Sequence, residues 1–216
     1  MLFALFVLLA FQGRWTPAQT TPPPKSPPKP FVPPPFRAIP RGSSADFRQA
    51  YWGMTKEEVK KSEVIQLQVT PHSETALEGL GGASSVAGMP CIVTYEFVEN
   101  QLDGAGYYIS GKRHTNENSY LDDYETIKAL LLEKYGDPIS DTTDWKNPLY
   151  RSDPSHYGFA VSVGHLSRSA LWSTPRTRLG VTITGDNYEV AITVFYQSVA
   201  LLDAAEKAKA KAKNPF

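Results

Sequence analysis

The chain has 216 residues, with 22 basic and 22 acidic side chains, 18 prolines and one cysteine. This charge balance excludes the broad basic surface with which proteins neutralise nucleic-acid phosphates, so no nucleic-acid partner is expected. Cys91 has no second cysteine to pair with, and a domain without disulfides has to bury a core of its own, which about 170 residues suffice to do.

Leu2 to Phe11 form an unbroken apolar run, followed by Gln12, Gly13 and a Thr16-Pro17-Ala18 exit. An apolar stretch of this kind closed by a small residue predicts a secretory signal peptide over residues 1–18, cleaved between Ala18 and Gln19. A bilayer-spanning helix needs about 20 apolar residues, so no stable membrane span is expected. No Lys or Arg precedes the run, which leaves the terminal amine as its only positive end, and no cysteine stands at the exit to carry a lipid. The predicted location is secreted or periplasmic.

Residues 19–41 hold ten of the eighteen prolines. Proline removes backbone donors and favours polyproline II, so this stretch is predicted to be a disordered, proline-rich linker. At about 3.1 Å per residue it would hold the domain roughly 70 Å from whatever the N-terminus meets. Lys25, Lys29 and Arg37 add a weak attraction for anionic polymers.

The globular domain is predicted over residues 46–197. Thr55 and Glu58 have the spacing of a capping box, which starts a short helix from Lys56 to about Glu63. Val64 to Thr70 alternates like a half-buried strand. Leu80 to Gly88 reads as a Gly- and Ser-containing loop, and it lacks the Gly-Lys-Ser/Thr ending of a phosphate loop. Cys91 to Val98 and Leu102 to Ser110 predict an antiparallel hairpin, with Cys91 buried at its start. In Tyr120 to Tyr135 the apolar positions 120, 124, 127, 131 and 135 share one helix face; Asp122, Asp123 and Glu125 lie near its positive end, and Gly136 and Pro138 stop it. Strands are expected at Tyr157 to Val163, Ser169 to Ser173, Arg178 to Thr184 and Glu189 to Tyr196, with Gly185-Asp186-Asn187 turning between the last two. Residues 198–216 form an Ala/Lys-rich C-terminal helix or tail, its lysines scattered round the helix and solvated.

This order predicts an α+β fold, an antiparallel sheet covered on one face by helices. The helix starts at Lys56 and Tyr120, each followed by strands, suggest two tandem helix-then-strands units. Gly53-Met54-Thr55-Lys56-Glu57-Glu58-Val59 resembles the Gly-x-[ST]-x-x-x-Val helix start of the SmpA/OmlA (BamE-type) outer-membrane assembly family and of β-lactamase-inhibitor-protein-like domains. Lys134-Tyr135-Gly136-Asp137-Pro138 is similar to their helix-ending Gly-x-Pro. The chain departs from the former in lacking a lipobox cysteine. The resemblance implies an exported bacterial envelope protein whose domain opens on a helix before a short antiparallel sheet.

No catalytic, cofactor or metal constellation stands out. His72, His114, His156 and His165 form no His-x-x-x-His or His-Glu-x-x-His pair, no Gly-x-Ser-x-Gly elbow is present, and Cys91 lacks a local catalytic signature. Helix-start charge and loop solvation account for Asp122, Asp123, Asp141 and Asp144. Trp52, Trp145 and Trp172 are candidates for a carbohydrate- or peptide-binding surface; each also adjoins an element boundary, where a large side chain closes a core. The sequence therefore points to a non-catalytic exported module with a protein or cell-wall partner. The alternative is a secreted hydrolase whose site is assembled from sequence-distant residues.

Overall fold

The structure is a computed structural model and describes residues 44–71 and 78–213. The signal peptide with its Ala18–Gln19 junction, the proline-rich linker, His72 and the last three residues lie outside that range.

Among the described residues, eight strands form one antiparallel sheet: β1 (Gln68–Pro71), β2 (Glu78–Val86), β3 (Met89–Val98), β4 (Gln101–Ile109), β5 (Ser140–Trp145), β6 (Leu166–Ser173), β7 (Thr177–Asp186) and β8 (Glu189–Ser198). Their spatial order is β1-β2-β3-β4-β8-β7-β6-β5, so two four-stranded meanders meet at the β4–β8 pair. Helices α1 (Lys56–Ser62), α2 (Asn118–Tyr135), α3 (Tyr157–Ser162) and α4 (Leu202–Lys213) complete an α+β domain.

Three hairpins turn through two residues at positive φ: Ala87–Gly88, Glu99–Asn100 and Asn187–Tyr188. This backbone matches the right-handed twist of the flanking strands. The last turn lies beyond the expected Gly185-Asp186-Asn187 because β7 and β8 pair as far as Asp186↔Glu189.

The predicted loop at Leu80 to Gly88 is instead mostly strand β2, and its small residues have a structural reason. A Cβ on Gly82 would lie 2.7 Å from the Gln66 carbonyl oxygen, where residues 65–67 cross the strand. The expected strand at Val64 to Thr70 shortens to β1, leaving Val64 exposed. Tyr157 to Ser162 is the helix α3 rather than a strand: Asn118 Oδ1 accepts the Gly158 N–H at 2.6 Å, and a Cβ at Gly158 would collide with the Glu117–Asn118 backbone. Asp141 and Asp144 belong to the edge strand β5, which the sequence reading had as loop.

Core positions alternate along the strands. In β3, Met89, Cys91, Val93, Tyr95 and Phe97 are buried, and register places Val93 beside Tyr107, Tyr107 beside Val194 and Val194 beside Val181. Ile127 and Leu131 of α2 line one cleft with Tyr107, Val194 and Tyr196 of this face. Each fully buried aliphatic side chain here contributes about 1.5–3 kcal/mol.

Segment 44–63 ties the two halves together. Arg176 of the β6–β7 turn holds Asp46 through Nε–Oδ1 and Nη2–Oδ2 bonds of 2.8 Å, and the Phe47 ring packs on Tyr95, Tyr107 and Tyr196. Trp52 donates its indole N–H to Thr177 at 2.9 Å. Gly53 N–H bonds the Leu102 carbonyl, Met54 accepts from Leu102 N–H, and the Thr55–Glu58 capping box then starts α1 as the spacing predicts. In α2 the predicted face is buried at Tyr120, Tyr124, Ile127 and Leu131, and Gly136 caps the end at φ +75°. The helix begins two residues earlier than expected, so Asp122 and Asp123 fall beyond its first turn.

Candidate functional site

Away from the core cluster, α4 runs beside β3, and Val98, Leu201 and Ala205 are buried there; the rest of the face opposite the core is the more open side of the sheet. Register aligns Ile92, Tyr108, Thr193, Thr182, Ser169 and Thr142 in one row across six strands. The next row runs Thr94, Gly106, Phe195, Gly180 and Leu171. Ile92 is 44% exposed, and Tyr108, Phe195 and Leu171 are half-buried, whereas Val93, Val181 and Ile192 of the other face are fully buried. The open face is thus a Thr/Ser-rich surface carrying four large apolar or aromatic side chains.

Two glycines shape its centre. A Cβ at Gly180 would lie 2.6 Å from Leu171 Cδ2 and 2.8 Å from Phe195 Cζ, so Phe195 and Leu171 fold over the gap the glycine leaves. A Cβ at Gly106 would collide with the Val194 carbonyl oxygen, which holds β4 and β8 in close approach beside Phe195. Tyr108 stands two positions along from Phe195's partner, and burial pushes its phenol above the ordinary tyrosine range. It stays a neutral donor at physiological pH. Aromatic rings with a polar tip, set among hydroxyls, suit recognition of a partly apolar, hydrogen-bonding surface.

The predicted tryptophans divide differently. Trp52 and Trp172 are each 3% exposed, with their indole N–H groups bonded to Thr177 and to the Gly136 carbonyl, the latter at 2.7 Å. Both close the core and neither reaches a binding surface. Trp145, at the end of β5, is half-buried edge-on against Tyr157. Sequence reasoning passed over Tyr108 and Phe195; the alternation that turns Tyr107 and Val194 toward α2 is the signal that turns them to the other side.

The described histidines lie in loops and turns. His114 Nε2 meets Asp123 Oδ2 at 2.7 Å, and Arg113 binds the same oxygen at 3.0 Å. Tyr120 Oη accepts the Arg113 backbone N–H at 2.9 Å, so the cluster straps the loop to α2. Asp153, Ser155 and His156 bring together the residue types of a hydrolytic triad in the wrong arrangement. A triad needs the serine on one imidazole nitrogen and the carboxylate on the other. Here Nδ1 alone faces both Asp153 Oδ2 at 2.8 Å and Ser155 Oγ at 3.2 Å, while Ser155 Oγ donates directly to Asp153 Oδ1 at 2.6 Å. These bonds, the serine's first, hold the Asp153 carboxyl below its usual range. Asp153 Oδ1 also accepts the Ser155 backbone N–H at 3.1 Å and so caps the 3₁₀ turn Pro154–His156.

His156 and His165 each stack on the Tyr150 ring, at centroid separations of 5.5 and 6.0 Å. Among the described residues no group of three or more His, Cys, Asp or Glu is placed to hold a metal ion. Burial pushes the Cys91 thiol up, away from nucleophilic character. A cleft of about 170 Å³ between α2 and the sheet is lined by Val86, Tyr107, Ile127, Leu130, Leu131, Lys134, Val194 and Tyr196, without a histidine or a carboxylate. Among the described residues no helix is long and apolar enough to cross a membrane.

Compared with known protein families, curated proteins and solved structures, the chain shows no significant match to any of them.

Proposed function

We propose that this chain is a non-catalytic exported envelope module, secreted or periplasmic, that binds a protein or cell-wall partner through the open face of its sheet. The observation that carries this reading is the Ile92–Tyr108–Phe195–Leu171 cluster: four large side chains on an otherwise hydroxyl-rich face, grouped around Gly106 and Gly180. The signal peptide brings the chain to the envelope, and the proline-rich linker supplies reach.

The finer architecture belongs to the same proposal. The mirror order of strands about β4–β8, with α1 ahead of β1–β4 and α2 ahead of β5–β8, supports two tandem helix-then-strands units. The cleft that α2 shares with Tyr107 and Val194, and the closeness of α3 to Gly185, support α2 and α3 gathered on one face, while α4 runs beside β3. This layout is in keeping with the resemblance to BamE-type and β-lactamase-inhibitor-protein-like envelope domains.

The test is mild crosslinking in envelope extracts followed by recovery of the protein, comparing the parent with Phe195→Ser. A discrete adduct in the parent that falls at least about tenfold in the variant is the expected result. No adduct with protein or cell-wall polymer in the parent, or equal yield in both, overturns the reading.

A further inference from the structure

The two-residue hairpin turns among the described residues share one backbone but not one chemistry. Their second positions are Gly88, Asn100 and Tyr188, at φ +77°, +60° and +66°. Glycine and asparagine take this left-handed backbone readily, whereas a tyrosine there is strained and gives the turn nothing in return. Tyr188 is also 74% exposed, so its ring stays in water instead of closing the core. A strained aromatic held in solvent works against the fold, and strain of this kind collects where a side chain meets a ligand.

The turn is fixed in place. Tyr188 N–H donates to the Ser162 carbonyl at 3.0 Å, and a Cβ at Gly185 would lie 2.2 Å from the Val161 carbonyl oxygen, so the β7–β8 turn presses on the end of α3. This sets the half-buried Phe159 ring 6.2 Å from the Tyr188 ring, tilted by 52°. Tyr150 stands edge-on to Phe159 at 5.5 Å and is itself stacked by His156 and His165, which makes that group a buttress for Phe159. Asp186 and Asn187, both exposed, precede Tyr188, and Asn187 Nδ2 donates to Asp186 Oδ2 at 3.1 Å. A carboxylate has about four lone-pair sites and an amide both donates and accepts, so the pair keeps capacity for further bonds.

Two aromatic rings beside a carboxylate and an amide match a pyranose, whose C–H face is apolar and whose rim is hydroxyl. Residues 157–165 and 185–189 carry Asp186 and Glu189 and no Lys or Arg, which disfavours anionic lipid and polyanions. We propose that Tyr188 and Phe159, with Asp186 and Asn187, form a glycan-binding site for a neutral sugar chain: the rings stack on its C–H faces while the carboxylate and amide take its hydroxyls. The site lies at the end of the sheet, apart from the open face, and stands whether or not that face binds a partner.

Nuclear magnetic resonance titration of the purified exported protein with chitohexaose and with cellohexaose tests this. The amide signals of Phe159, Asn187 and Tyr188 should move saturably with at least one of the two sugars. Tyr188→Gly should weaken that binding by about tenfold or more while Tm holds or rises. Tyr188→Asn, which borrows the residue of the Glu99–Asn100 turn, should do the same. No saturable movement at about 10 mM of either sugar, ten times a millimolar Kd, overturns the proposal. So does binding that both variants keep at parent strength, or movement centred on Ile92, Tyr108 and Phe195, which puts the sugar on the open face. Parent binding to phosphatidylethanolamine–phosphatidylglycerol vesicles that Tyr188→Gly loses, with no sugar bound, makes the turn a membrane contact and overturns it equally.

Discussion

Replacing Thr177 by valine removes the hydroxyl that accepts the Trp52 indole N–H at 2.9 Å while keeping the side chain's shape. The two residues are 3% and 6% exposed, so water does not take the hydroxyl's place. A buried donor left without a partner costs about 1–3 kcal/mol, which for a domain of this size lowers Tm by roughly 2–12 °C. Trp52→Phe removes the donor and about 40 Å³ of side-chain volume, a cavity loss of about 1 kcal/mol, added to the unpaired hydroxyl. The double variant has no orphaned group at this contact, so its cost should fall short of the sum of the singles by about 1 kcal/mol or more. Urea unfolding followed by far-UV circular dichroism measures all four proteins without relying on the altered tryptophan. If Thr177→Val stays within about 0.3 kcal/mol of the parent, or the two costs simply add, Trp52 is not what pins segment 44–63 to β7.

Other consequences follow from single contacts. Gly106→Ala drives a methyl into the Val194 carbonyl and should cost more than about 3 kcal/mol, seen as loss of soluble protein or a large drop in Tm; a parent-like Tm would mean β4 and β8 are less closely paired. Tyr188 sits at φ +66° and is 74% exposed, so Tyr188→Gly should raise stability by up to about 1 kcal/mol through relief of left-handed strain, and a lower Tm would contradict this. Burial raises the phenols of Tyr124 and Tyr196 well above the ordinary range. Both stay protonated in the fold while the unfolded chain ionises near pH 10, so stability is fully present below about pH 10 and falls above it by about 1.4 kcal/mol per pH unit for each such tyrosine. Urea midpoints at pH 8 and 11 test the sign. Tyr124→Phe removes a buried hydroxyl that has no bonding partner; it should be neutral or stabilising by up to about 1 kcal/mol, with a weaker alkaline loss.

Much of the fold was readable where local chemistry and tertiary need agree. Thr55 and Glu58 start α1, the four-and-three spacing from Tyr120 to Tyr135 defines α2, and the β-branched and aromatic runs at Cys91 and Glu189 are strands. The misreadings lie where a neighbour overrides propensity. In β2 the glycines look like loop, yet residues 65–67 and the β3 backbone leave no room for side chains. The Tyr157 segment has strand-like composition, but Asn118 and the Glu117 backbone hold it as a helix. The polar run at Asp141 is a strand because it is an edge, with most of its side chains in solvent. The candidate site was less readable still. Large aromatics drew attention to the tryptophans, two of which are core, while Tyr108 and Phe195 become a surface only through the pairing of β4 with β8, far apart in sequence. Nothing local to either strand announces that partnership.

Site-specific photocrosslinking addresses the open face most directly. A benzophenone side chain placed at Tyr108 should give a discrete adduct with one envelope protein or with the cell wall in living cells, while the same probe at Leu149, an exposed position in the short 3₁₀ helix Pro148–Tyr150 outside the sheet, should give none. Adducts from Leu149 and none from Tyr108 would contradict the assignment of the open sheet face as the binding surface.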